Sequence, residues 1–130
     1  MTQTELNAAV DNYFTVHLDK EYWFALDADK RAATVAMAFS DIAALIPGLT
    51  LNNLTADSAA VKAVAEQAVF LNRNYETIAE GKVVTSEGAE GISVGYTLVG
   101  TSFQISPRAE TFIKHAKRLY FGGFTRISRG

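Results

Sequence analysis

The sequence predicts a mainly α-helical fold: a small bundle of about four helices, with a β-hairpin inserted before the last helix and an extended C-terminal tail. The first observation is spacing, because several stretches place apolar residues three or four positions apart, the period of an amphipathic helix. The second is an alternation of apolar and polar residues over 92–99, the period of a strand. The third is composition, since 130 residues with 48% hydrophobic side chains suit one domain.

Helix start signals set the order of the elements. Thr2 and Glu5 have the spacing of a capping box, so a first helix is predicted to run to about Phe14. Similar signals predict a second helix from Asp27 or Asp29 to about Ile46, a third from Thr55 or Asp57 to about Ile78, and a last helix capped by Ser106 and ending at Tyr120.

Residues 17–26 are predicted to connect the first two of these helices through one short turn. They contain Tyr22, Trp23 and Phe24 in succession. Large rings stabilise a small domain most when they are buried, so these aromatics are interpreted as a lid over the core.

A β-hairpin is predicted at about residues 82–99, between the third and last helices. A two-stranded hairpin alone is marginal in water, so it either packs on the helices or pairs with a neighbouring subunit. Its predicted contacts with a neighbour are Val84, Ile92, Val94 and Tyr96.

The C-terminal end divides from the body, giving a helical domain over residues 1–120 and a tail over 121–130. The tail is rich in aromatic, glycine and basic residues and is too short to build a core of its own. We therefore expect another chain to cover it. Its predicted docking residues are Phe121, Phe124, Arg126, Ile127 and Arg129.

The formal net charge of −2 conceals an uneven distribution. Residues 1–107 carry six Lys or Arg and thirteen Asp or Glu, a balance of −7, whereas residues 108–130 carry six and one, a balance of +5. Such a split indicates two contact surfaces of opposite sign. The predicted basic face of the last helix comprises Arg108, Lys114, Lys117 and Arg118.

The residue types required for catalysis are sparse, so an enzyme is not expected. The absence of cysteine excludes disulfides and thiolate chemistry. His17 and His115 are the only two histidines, and neither has a second histidine at ligand spacing, so a surface or core-edge role is favoured for both. No catalytic residue, metal or cofactor is predicted, and no apolar run is long enough to cross a membrane.

Single-stranded nucleic acid is an alternative partner for the basic C-terminal segment. Arginines and lysines could contact phosphates there, while Tyr120, Phe121 and Phe124 could stack on bases. The acidic body would repel a polyanion, which makes this alternative the weaker of the two.

Element order and several short strings carry a resemblance over about residues 2–120. The strings are Tyr13-Phe14, Tyr22-Trp23, Arg31-Ala32-Ala33, residues 61–68, residues 82–87, residues 92–96 and Ser106-Pro107-Arg108. In this pattern the chain resembles the helical head–tail connector proteins of long-tailed bacteriophages, also called adaptor or head-completion proteins. Related sequences also carry a label for a primosomal single-strand-DNA-binding protein.

The resemblance implies a structural virion protein of the phage neck, made in the host cytoplasm. Family members form a ring, typically dodecameric, between the portal protein and the stopper or tail-completion protein. Double-stranded DNA passes through the ring without specific binding. The C-terminal segment commonly docks on the portal, a role that the resemblance assigns here to residues 121–130.

Overall fold

The computed structural model describes the backbone of residues 1–80 and 104–129, and the side chains of residues 1–80 and 104–118. These residues form five α-helices and one short 3-10 turn, so the prediction of a mainly helical fold is confirmed. The elements are α1 (Gln3–Phe14), α2 (Lys20–Ala25), α3 (Ala28–Leu45), the 3-10 turn (Leu51–Asn53), α4 (Ala59–Ala79) and α5 (Pro107–Arg129). No strand occurs within the described ranges, and the hairpin predicted at 82–99 lies outside them.

Helix α4 is the central element of the bundle. It packs against α1, α3 and α5, and every residue from 59 to 69 except Lys62 is buried. Most of these side chains are alanine or valine, which allow the surrounding helices to approach closely. A helix that is buried on all sides normally carries no polar side chains, yet this one places Glu66 and Gln67 in the interior.

Side-chain hydrogen bonds fix the starts of the helices. The Thr2–Glu5 capping box of α1 is confirmed, and Asp27 caps α3 by accepting the amide of Lys30 at 2.8 Å. The predicted cap of α4, Thr55 or Asp57, was wrong, because the cap is Ser58, whose Oγ accepts the Val61 amide at 3.2 Å. Residues 55–58 form a turn that delays the helix.

The interior also contains Trp23 of α2. This helix has six residues, where a single turn was predicted. Trp23 is fully buried and stacks on Phe14 with ring centroids 4.7 Å apart. Its indole N–H donates to Asp11 at 2.8 Å. The lid prediction is therefore confirmed for Trp23, whereas the neighbouring Phe24 remains exposed.

Helices α3 and α5 both run antiparallel to α4. Thr34 bonds Asn72 near one end of the α3–α4 pair, and Asp41 bonds Gln67 further along. Three contacts give the direction of α5. Ser106, just before α5, contacts Gln67; Arg108 contacts Glu66; and Phe112, one turn further, contacts Lys62. Helix α5 therefore reaches the start of α4 by about Arg118.

The prediction of an extended tail from residue 121 was wrong, because α5 continues as a helix to Arg129. Two adjacent glycines, at 122 and 123, favour the end of a helix. The apolar spacing of three or four residues nevertheless continues across them, from Tyr120 to Phe124 and Ile127. This periodicity outweighs the helix cost of about 1 kcal/mol for each glycine.

Candidate functional site

A buried carboxylate lies where α1, α4 and α5 meet. Glu66 of α4 is 2% exposed, and its Oε2 accepts the Tyr13 hydroxyl at 2.6 Å. The same oxygen lies 2.8 Å from His17 Nε2 and 3.2 Å from Arg108 Nε. We call Glu66, Tyr13, His17 and Arg108 the Glu66 cluster.

The hydrogen bonds of the cluster fix the proton on His17. The Asp19 amide donates to His17 Nδ1 at 2.9 Å, so this nitrogen is an acceptor. The proton of the neutral ring then lies on Nε2, which donates to Glu66. Both ring nitrogens are occupied, and neither is available to a substrate or a metal ion.

The electrostatics of the cluster follow from its partial burial. Burial first, and then the hydrogen bond to Glu66, raises the pKa of Tyr13 from 10.0 to about 12. Hydrogen bonds to Tyr13 and then to Glu66 raise the pKa of Arg108, which therefore stays charged. The Arg108 guanidinium compensates the buried carboxylate, whose isolation would otherwise cost several kcal/mol. The cluster is thus built to hold α1, α4 and α5 together.

A second buried polar group connects α3, α4 and the segment before α5. Gln67 is fully buried, and its Nε2 donates to Asp41 Oδ2 at 2.9 Å and to the Gln104 carbonyl at 2.7 Å. Its Oε1 accepts the Ser106 amide at 2.9 Å. Burial raises the pKa of Asp41, and the hydrogen bond from Gln67 acts in the opposite direction. Two of its three hydrogen bonds, those with the Gln104 carbonyl and the Ser106 amide, fix the start of α5.

The structure places the four basic residues predicted on α5 at exposed positions of that helix. Lys114, Lys117 and Arg118 are exposed. Arg108 differs from them because its side chain, which is 66% exposed, is paired with Glu66. Two of these residues line a cleft of about 670 Å³ between α5 and the start of α4. We call it the basic cleft; its charged or titratable lining residues are Lys62, Lys114, His115, Arg118 and one carboxylate, Asp57.

The remaining predicted contact residues fall outside the described side chains. Those of the hairpin, Val84, Ile92, Val94 and Tyr96, lie outside the described residues altogether. Those of the tail, Phe121, Phe124, Arg126, Ile127 and Arg129, lie on the described backbone of α5, but their side chains are not described.

Sequence reasoning missed the Glu66 cluster. His17 and Glu66 are 49 residues apart, so no spacing rule connects them. One signal was available in the sequence. Glu66 and Gln67 are adjacent polar residues inside a run of alanines and valines. The polar residues of a solvent-facing helix side would instead recur at helical intervals along the whole run.

Two further properties of the described residues concern ligands and membranes. No group of three or more histidine, cysteine, aspartate or glutamate side chains within them is placed to hold a metal ion. None of their helices is both long and apolar enough to span a bilayer.

No family model, curated protein or solved structure matches this chain. Inferences about its function therefore start from its own residues.

Proposed function

We propose that this chain is a structural protein of a tailed-phage neck, which assembles as a ring between the portal and the stopper or tail and extends the DNA channel. The body would act as a stable block in the ring, and the C-terminal part of α5 would attach the ring to the portal. The resemblance to head–tail connector proteins and the three features described next support this proposal.

The observation that carries the proposal is the length of α5. The helix lies beside α4 only as far as Arg118, where α4 begins, and then continues for eleven more residues, or about 16 Å. In sequence, Tyr120, Phe124 and Ile127 extend the apolar spacing of Ile113 and Ala116 into this segment. An amphipathic helix that extends past its own bundle is suited to docking in a groove of another protein.

The second feature is the anchoring of α5 at its other end. Glu66 and Gln67 hold the first turns of α5 through Arg108 and Ser106. Buried, fully paired polar groups specify one arrangement of the packed elements. The docking segment would then be presented at a fixed angle, which lowers the entropy lost when it binds.

The third feature is an exposed apolar turn between α1 and α2. Val16 and Leu18 are 91% and 102% exposed, while His17 between them faces the interior. Two neighbouring aliphatic side chains in water are a candidate contact for an adjacent subunit.

Truncation tests the proposed attachment. Deletion of residues 121–130 leaves the α5 contacts at Ile113 and Ala116 intact, so helicity and melting temperature should change little. Attachment to portal-bearing heads of the encoding phage should be lost. The matched pair within the segment is Phe124→Ser with Ile127→Ser, which removes the apolar stripe, and Thr125→Ala with Ser128→Ala, which leaves it. Normal joining of heads and tails by the truncated chain would refute the proposal.

The alternative function is that of a single-stranded-DNA-binding accessory protein. The observation that favours it is the exposure of Lys114, Lys117 and Arg118 on one helix. Binding to a labelled oligonucleotide would then weaken steeply as salt is raised, because each phosphate contact releases counterions. An absence of binding at low salt would exclude this alternative.

A further inference from the structure

Unpaired positive charge gathers at one end of α4, where the basic cleft lies. Lys62 comes from α4 itself, and Lys114 and Arg118 come from successive turns of α5. None of these three cations takes part in an ion pair within the described part of the chain. One carboxylate, Asp57, also lines the cleft, so the three cations leave it with a net positive charge.

Unpaired negative charge gathers at the other end of α4, a helix of 21 residues that is about 30 Å long. The Thr34–Asn72 hydrogen bond places the start of α3 there, and Arg73, 3.9 Å from the Tyr22 ring, brings in α2. We call the exposed carboxylates of this end the acidic edge: Glu21, Asp27, Asp29 and Glu76.

The arginines at this end do not neutralise the acidic edge. Arg31 pairs with Asp11, and Arg73 pairs with Asp19 at 2.8 Å. The exposed Lys20 and Lys30 offset only part of the charge. Across the described residues, no ion pair involves a carboxylate of the acidic edge.

We propose that the basic cleft of one protomer receives the acidic edge of a second copy of this chain, so that copies associate head to tail. The two surfaces are complementary in charge and lie at opposite ends of the bundle. A contact between two different surfaces repeats from copy to copy and closes into a ring when the rotation allows it. The inference rests on the proposed ring and adds the surfaces that join its subunits.

A second copy fits the cleft better than a nucleic acid does. The balance of −7 over residues 1–107 opposes the approach of a polyanion. The acidic edge of a second copy is instead a local group of four carboxylates, which complements the local positive charge of the cleft.

Charge reversal tests this contact by sedimentation velocity over a range of protein concentrations and salt. The wild type should self-associate at low ionic strength and dissociate at high ionic strength. Lys114→Glu with Arg118→Glu, and separately Asp29→Lys with Glu76→Lys, should each weaken self-association at least about tenfold. An equimolar mixture of the two variants should associate again, because each supplies the surface that the other needs.

The matched control is Lys117→Glu, which makes the same charge change on α5 outside the cleft. It should weaken self-association less than Lys114→Glu does. Circular dichroism confirms that each variant keeps the helical content of the wild type.

Three results would overturn the head-to-tail contact: a wild type that stays monomeric at high concentration and low salt, variants that associate as the wild type does, or a mixture that stays dissociated. Salt-sensitive binding of a labelled oligonucleotide that Lys114→Glu with Arg118→Glu abolishes, beside a monomeric wild type, would assign the cleft to nucleic acid instead. Attachment to portal-bearing heads is scored separately. Intact attachment without self-association removes only this contact, and self-association without attachment removes only the portal-docking proposal.

Discussion

Replacement of Tyr13 by Phe isolates one hydrogen bond of the Glu66 cluster. The hydroxyl donates to Glu66 Oε2 at 2.6 Å, and the substitution removes that donor without changing the aromatic ring. A rise in the pKa of Tyr13 from 10.0 to about 12 corresponds to at most about 3 kcal/mol, of which burial is the largest cause and the hydrogen bond to Glu66 the second. Tyr13 is half-buried, so solvent screening reduces this to about 1–2 kcal/mol. A hydrogen bond to a charged acceptor falls in the same range.

The sign of the pH dependence follows from the direction of the shift. The folded chain holds the phenol proton more tightly than the unfolded chain does. The stabilisation is therefore fully present below pH 10 and is lost as the pH rises toward about 12. Tyr13→Phe should lower the melting temperature by roughly 3–8 °C at pH 7, and the difference from the wild type should shrink at pH 11.

Thermal unfolding followed by circular dichroism at pH 7, 9 and 11 measures both effects. The comparison uses the difference between the two chains at each pH, which cancels the titration of lysines that they share. Equal melting temperatures at pH 7, or a difference that stays constant up to pH 11, would refute the assignment of Tyr13 as a donor to a buried carboxylate.

Three further predictions concern the buried polar groups. Glu66→Gln should destabilise the fold by about 1–3 kcal/mol in urea unfolding, because it removes the charged acceptor of the cluster. The loss stays in this range because the exposed Arg108 can bind water instead. An unchanged midpoint would mean that the carboxylate is dispensable. Gln67→Leu should lower the free energy of unfolding by about 2–4 kcal/mol, because it removes the acceptor of the buried Ser106 amide and the donor to Gln104. Hydrogen exchange at the start of α5 should accelerate, and unaltered exchange there would contradict the role of Gln67 in fixing that start. Asp41→Asn should keep or raise the melting temperature at pH 7, because burial raises the pKa of Asp41 above 3.8 and makes its charged form the costly one; the gain should disappear near pH 3, and a clear loss of stability at pH 7 would contradict that sign.

The sequence was sufficient to predict the helices that begin with local signals. Thr2 and Asp27 cap through bonds to residues three positions away, so their effect is visible in a short window. In the third predicted helix, Tyr75 follows Leu71 at the apolar spacing and is predicted on the buried face, but it is exposed. Helix α4 departs from helical geometry at Asn74, with φ −119° and ψ 16°, and this bend turns the residues after it out of register.

The Glu66 cluster could not be predicted because it depends on contacts between distant segments. A glutamate in a helix is normally assigned to the solvent side, and only the packing of α1 and α5 around α4 makes that side an interior. The basic face of α5 was predictable, since Lys114 and Arg118 are one turn apart. The cleft was not, because Lys62 reaches it from another helix.

The proposal that this chain is a phage neck protein is best tested by cryo-electron microscopy of the neck in mature phage particles, since this locates α5 relative to its neighbours. If the proposal holds, we expect helical density for residues 119–129 in clefts between portal subunits, with the apolar side of that helix against the portal. Density that places this segment free in solvent, or folded against its own subunit, would contradict it.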